Sequence, residues 1–313
     1  MPKKLLQNKV AGSKLALPVV SVYAVVVWIL YGLVTEQWWL QFGGFAVTSY
    51  LMLELNNLNA LIRIYSRMVS CAFLMLFCAA CFLMPSIRGA IMQTCVVAAW
   101  LVLFQSYQDK TATGLTYYAF LFLSLASIAY VHVLFFVPFI WLLMATNILS
   151  LSWRTWGASL LGLLTPYWFG GAWLVYQNDF MPLITHFAQL VEFQQPFNFS
   201  GVTSEEMAVF ALLVICTVTG IIHYIRKSFQ DKIRIRMIFG FFIWTGLLAF
   251  AFLLLQPQHS DMLLRVIIIS TAPIIAHFLA LTSTRLTNIA FCVLVSLTVA
   301  ITIYQLCTTS SLF

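Results

Sequence analysis

The sequence predicts an all-α protein, a polytopic bundle of about eleven transmembrane helices with its N-terminus inside and its C-terminus outside. Three observations predict it. The chain is 62 % hydrophobic and only 8 % charged, with a mean hydropathy of +0.97. A soluble domain carries about 25 % charged residues, so the polar surface is too small to cover a water-soluble globule of 313 residues. The apolar residues come in long continuous runs, not in ten-residue alternations, which selects helices over a closed barrel. The basic residues then divide unevenly between the two sides of the runs.

The elements follow in order. A basic start, "MPKKLLQNKVAGSK", precedes the first apolar run, residues 15–34. That run exceeds the roughly 7–15 residues of a signal-peptide core and lacks a small-residue cleavage site, so it reads as a retained first span. Further spans are expected at 38–55, 68–85, 89–105, 114–131, 133–150, 155–175, 206–225, 237–255, 264–282 and 287–305. The fifth and sixth come from one apolar stretch too long for a single crossing, divided by a turn near Tyr130-Val131-His132. With the N-terminus inside, 14 of the 16 basic residues fall on the inner side, and only Arg88 and Arg265 fall outside. The net charge of +7 is accounted for by those inner segments. No Gly-rich phosphate loop or RNA-binding motif accompanies it, so nucleic acid is not an expected partner. The whole chain, 1–313, reads as a single integral-membrane domain.

Two polar stretches interrupt the apolar pattern. Residues 53–67, "LELNNLNALIRIYSR", carry Glu54, three asparagines, Arg63 and Arg67. On a helical wheel Asn56, Asn59, Arg63, Ser66 and Arg67 share one arc, and Leu55, Leu58, Leu61, Ile62 and Tyr65 the other. This predicts an interfacial helix over 56–67 at the inner membrane face, its arginines available to lipid phosphates or another anion. Residues 177–206 hold four acids and no Lys or Arg, and form the expected outer loop. Within it Phe180, Leu183, Ile184, Phe187, Leu190 and Val191 recur at helical spacing behind Pro182, predicting an amphipathic helix on the outer surface or over the bundle. Seven cysteines lie in or beside apolar runs; Cys78-Ala-Ala-Cys81 reads as small residues packed between helices, because a bilayer interior disfavours thiolates.

The strings "LNNLNALIRIYSRMVS", "SYQDKTATGLTYYAFLFLSLASIAYVHVLFFVPFIWLLMA" and "SWRTWGASLLGLLTPYWF" resemble an uncharacterised family of polytopic inner-membrane proteins of Bacteroidota, over roughly residues 50–170. The resemblance implies a bacterial inner membrane and carries no activity with it.

Candidate chemistry concentrates on the expected outer face. Glu36 precedes Trp38-Trp39, Arg88 stands between the third and fourth spans, and His132 caps the fifth–sixth hairpin. His186 lies on the amphipathic helix, and Asp261 and Arg265 open the tenth span. Glu36 or Asp261 is a candidate general base. Arg88 and Arg265, with His132 and His186, are candidates to bind a substrate phosphate, because guanidinium forks match phosphate oxygens. The plainer alternative pairs these arginines with Asp261 or another outer acid. The clamp reading requires one cavity joining Arg88, Arg265, Asp261 and Glu36 beneath residues 180–193. Inside the spans His277 reads as a polar group between helices. No metal or cofactor is expected. Three functions follow: a subunit or scaffold of an envelope-biogenesis complex; an outer-leaflet transferase or polymerase acting on polyprenyl-phosphate-linked glycans, similar in outline to proteins that use such substrates; or a transporter or lipid flippase. The expected partners are membrane lipids, a lipid-linked glycan or other envelope proteins.

Overall fold

A computed structural model describes residues 5–193 and 195–310. Among these, 82 % are helical and none lies in a strand, which makes the fold all-α. Thirteen α-helices run in order: α1 (Leu6–Ala11), α2 (Ala16–Tyr31), α3 (Trp39–Asn59), α4 (Met68–Cys78), α5 (Ile87–Leu103), α6 (Thr113–Ala129), α7 (Phe136–Leu143), α8 (Trp153–Gln177), α9 (Met181–Ala188), α10 (Ser204–Lys227), α11 (Ile233–Leu255), α12 (Ser260–Leu281) and α13 (Arg285–Ser310).

Among the described residues seven helical segments are long and apolar enough to cross a membrane: Ile87–Ser106, Val131–Ile148, Trp153–Gln177, Ser204–Gln230, Ile233–Leu255, Pro257–Leu281 and Arg285–Thr308. The four further expected spans, on α2, α3, α4 and the 17-residue α6, are shorter or more polar than these seven. The 16 residues of α2 make about 24 Å of helix against the ~30 Å hydrocarbon thickness. α3 is long enough but carries Thr48, Ser49, Glu54 and its asparagines. α4 stops at Cys78, and the chain turns through Cys81–Leu83 while still buried. There Cys81 Sγ donates to the Cys78 carbonyl at 3.0 Å, so the two cysteines pack as small core residues.

Local chemistry fixes most helix ends. Ser86 caps α5 by accepting from Gly89 N–H. Ser152 with Thr155, and Thr203 with Glu206, form capping boxes at the starts of α8 and α10. The long apolar stretch after Thr113 breaks at Tyr130, whose extended backbone ends α6 ahead of a tight turn, Val131–Phe135, that leads into α7. α9 sits within the expected amphipathic segment, with Pro182 in its first turn, and a further turn, Gln189–Val191, extends it.

α12 is the mast of the bundle. Every residue from Met262 to Ala280 is buried, against α4, α5, α10 and α11. α8 is its opposite: it leans chiefly on α6 and buries only Thr155, Ser159 and Gly162. Gly162 permits that crossing, because a Cβ there would sit 2.4 Å from the Tyr117 carbonyl oxygen. α1 tucks beneath the far end of α12. Its buried Gln7 amide donates to the Leu279 carbonyl at 2.8 Å and to the Thr282 hydroxyl, and Gln7 N–H donates to Asn288 Oδ1 at 3.0 Å.

Contacts between helix ends define two ends of the bundle. Gln7, Arg63, Lys110, Asp231 and Arg234 gather at one, which we term the basic end. Ser86, Tyr130, His132, Glu206 and Asp261 gather at the other, the acidic end.

The expected interfacial helix over 56–67 does not form. α3 runs on to Asn59, and Ala60 ends it in the left-handed conformation, φ 49°. Residues 61–67 are irregular, with Leu61 and Ile62 buried. Ser66, placed on the polar arc, is buried and accepts from Asn56 Nδ2 through its carbonyl at 3.0 Å.

Candidate functional site

At the acidic end the expected four-residue convergence splits in three. Arg265 is 1 % exposed and fully engaged. Its Nε and Nη2 each lie 3.1 Å from Asp261 Oδ1, one helical turn earlier. Nη1 donates to Gln93 Oε1 at 3.0 Å, and Nη2 also donates to the Leu83 carbonyl. The guanidinium lies over the Phe77 ring at 5.7 Å. It also occupies the space where a Cβ on Gly89 would stand, within 2.4 Å, so this packing requires glycine. The second Asp261 oxygen accepts from Ser86 Oγ at 3.0 Å and from the Tyr130 hydroxyl. A buried arginine is tolerable only when its charge and donors are met, and here they are met from within. Asp261 is therefore no free base and Arg265 no free clamp. Glu36 is exposed beyond α2, its backbone N–H bonded to the Gly32 carbonyl.

Arg88 faces elsewhere. It opens into a cavity of about 590 Å³ between α5, α6 and α9. Asp179, Thr185, His186 and Gln189 supply its other polar lining, and Ile91, Leu125 and Ile128 its apolar wall. α9 forms the roof, as the amphipathic pattern suggested, but Arg265, Asp261 and Glu36 do not line the space. His186 Nε2 lies 3.2 Å from the Tyr167 hydroxyl, which in turn is 2.6 Å from Ser127 Oγ. Burial pushes the His186 imidazole below its usual value, so it is neutral at pH 7. Arg88 is then the cavity's cation and Asp179 its anion. No sequence argument had singled out Asp179; its place directly before the α9 pattern, where it accepts from Met181 N–H at 3.0 Å, was the available signal.

His132 pins the roof and stays out of the cavity. Its Nε2 lies 3.0 Å from the Gln189 carbonyl oxygen, and its ring lies tilted against that of His259, centroids 3.8 Å apart. Gln258 adds a bond from Nε2 to the Glu192 carbonyl at 3.3 Å. These contacts tie residues 189–192 to the start of α12. Among the described residues no three metal-ligating side chains converge.

At the basic end the polar groups of residues 53–67 find their partners. Arg63 Nε lies 3.2 Å from Asp231 Oδ1, at ion-pair distance although not aligned as a hydrogen bond. Its Nη1 donates to Gln230 Oε1 at 2.7 Å. Asp231 Oδ2 is 2.9 Å from His277 Nε2, both side chains being buried. The His223 ring stands 5.4 Å from that of His277. Asn59 Oδ1 accepts from Arg234 Nη2 at 2.9 Å, and the same nitrogen donates to the Phe104 carbonyl at 3.1 Å. Arg67 turns back over Tyr65, with 5.9 Å to the ring. Arg63 and Arg67 therefore do not converge on one anion. Asp231 escaped notice in the sequence, yet it is the one acid within the basic run 223–236, "HYIRKSFQDKIRIR".

Comparison of the chain with protein families, with curated proteins and with solved structures found no match.

Proposed function

We propose that the protein crosses the bacterial inner membrane eleven times, basic end toward the cytoplasm, and serves as a non-catalytic subunit or scaffold of an envelope-biogenesis complex. The observation that carries this reading over a transferase is the closed Arg265–Asp261 pair. A transferase on polyprenyl-phosphate-linked glycans needs that carboxylate as a base and that guanidinium on phosphate, and each is already satisfied by the other. The remaining outer candidate base, Glu36, lies outside the cavity that holds Arg88.

α8 offers the place for a partner. Trp168, Phe169, Trp173 and Tyr176 are exposed along it, and Gly170 and Gly171 have open space around them. Small residues beside exposed aromatics let a second helix approach closely within a bilayer. The test is purification of the tagged chain from native membranes in mild detergent after cross-linking. A protein recovered at comparable amount with wild type, and lost with Gly170→Leu and Gly171→Leu at unchanged chain level, is the expected result. A chain that elutes alone in both cases removes the subunit reading.

A further inference from the structure

The cavity beneath α9 combines features that no internal role absorbs. Arg88 reaches into it with a guanidinium that has no hydrogen bond or ion pair among the described residues. Asp179 lines the same space. One of its oxygens caps α9, and the other has no donor among the described residues. The two charges share a cavity yet form no ion pair. Each is therefore available to a charge of opposite sign on a guest, and the guest's two charges lie close together. A simple anion fits poorly, because the Asp179 carboxylate would repel it while His186, neutral, adds a hydrogen-bonding group and no charge. A zwitterion fits both groups. The apolar wall of Ile91, Leu125 and Ile128 continues onto exposed faces of α5 and α6, where Ile91 is 49 % and Ile128 50 % exposed. Hydrocarbon chains attached to the guest have a path along that wall into the surrounding lipid.

We propose that this cavity is a binding site for an ethanolamine phospholipid, with the phosphodiester on Arg88 and the ammonium on Asp179. The guanidinium supplies a forked donor to the phosphate oxygens. The free Asp179 oxygen accepts from the ammonium N–H groups. That second contact separates ethanolamine from choline, whose quaternary nitrogen has no N–H to give, and from glycerol head groups, which bring no cation. Thr185 and Gln189 add neutral polar atoms around the head group. The site does not depend on the subunit role, since a scaffold, an enzyme or a carrier could each hold such a lipid.

The full chain reconstituted in phosphatidylcholine nanodiscs, with equal minor amounts of phosphatidylethanolamine and phosphatidylglycerol, tests this by native mass spectrometry of retained lipid. Wild type is expected to keep phosphatidylethanolamine about tenfold over phosphatidylglycerol. Arg88→Gln should release both minor lipids to background, and Arg88→Lys should restore part of the retention. Asp179→Asn keeps the oxygen that caps α9 and should abolish the preference, leaving the two lipids equal. The proposal falls if wild type retains phosphatidylglycerol as well as or better than phosphatidylethanolamine, if Asp179→Asn keeps the preference, or if inorganic phosphate displaces the bound lipid. Arg88 is exposed and its side chain has no partner among the described residues, so its variants test binding and not assembly.

Discussion

The two ends of the bundle handle buried charge differently. At the acidic end Arg265 and Asp261 sit four residues apart on one helix, and the guanidinium also reaches Leu83 and Gln93, so a local pair ties the α4–α5 link and α5 to the mast. At the basic end Asp231 is the buried member, and its arginine arrives from an irregular segment far away in sequence, with its side chain 33 % exposed. At the acidic end the partly exposed member is the carboxylate, the Asp261 side chain being 32 % exposed; at the basic end it is the guanidinium, over a fully buried Asp231. The lesson is that an ion pair's weight follows from how much solvent stands ready to take over when one partner goes.

That contrast can be broken by mutation. Arg265→Ala empties a buried site over Phe77 and leaves Gln93 and the Leu83 carbonyl without their donor, and should cost about 3–5 kcal/mol, read as a large fall in unfolding temperature or in folded yield in detergent. Replacing Asp261 by Asn in the same chain should recover little of that loss, because the Asp261 carboxylate is partly solvated and keeps its Ser86 and Tyr130 donors. Asp231→Asn leaves Arg63 and His277 facing an amide and should cost about 1–3 kcal/mol in the same assay. Arg63→Gln removes the partly solvated member but leaves the buried Asp231 with His277 alone, and should also cost about 1–3 kcal/mol. If Arg63→Gln proves silent, the buried carboxylate is not what that arginine serves.

The smallest effect concerns pH. The His186 imidazole titrates below its usual 6.5 because burial disfavours the imidazolium. The unfolded segment therefore binds a proton before the folded one does. The contribution of His186 is complete above about pH 6.5 and is lost as pH falls from there through the folded value. Hydrogen exchange across α9 should show protection falling as the solution is taken from about pH 8 to about pH 5, and His186→Asn should flatten that profile. A lipid phosphate bound beside His186 would raise its value toward the unfolded one and so shrink the loss.

Much of the helix layout was legible in the sequence, because apolar run length and turn chemistry are local. The break at Tyr130 and the amphipathic α9 behind Pro182 are cases in point. The stretch 56–67 was misread for a reason equally plain. Its polar residues obey a helical period, yet their partners, Ser66, Arg234 and Asp231, are fixed by folding back and by distant segments. No glycine or proline announces that Ala60 will end the helix in a left-handed conformation. At the site, the i,i+4 spacing of Asp261 and Arg265 left their pairing readable as the plainer alternative. The direction of Arg88 was not readable, because it depends on how α5 is rotated against α12. That rotation is set by Gly89 receiving the Arg265 guanidinium, a contact that no spacing encodes.

The Gln7 contact beneath α12 has a consequence for the order of assembly. Gln7 and the Leu279 carbonyl it caps are 272 positions apart, so α1 leaves the ribosome long before its partner exists. A helical turn made early is thus seated late. While it waits, the C-terminal carbonyls of α12 and the side chain of Gln7 each lack the bond the finished protein gives them. An incomplete chain thus carries an open polar patch at its basic end. In the folded chain α1 closes that patch, and so serves as a latch whose closure reports that synthesis has passed α12 and reached Asn288.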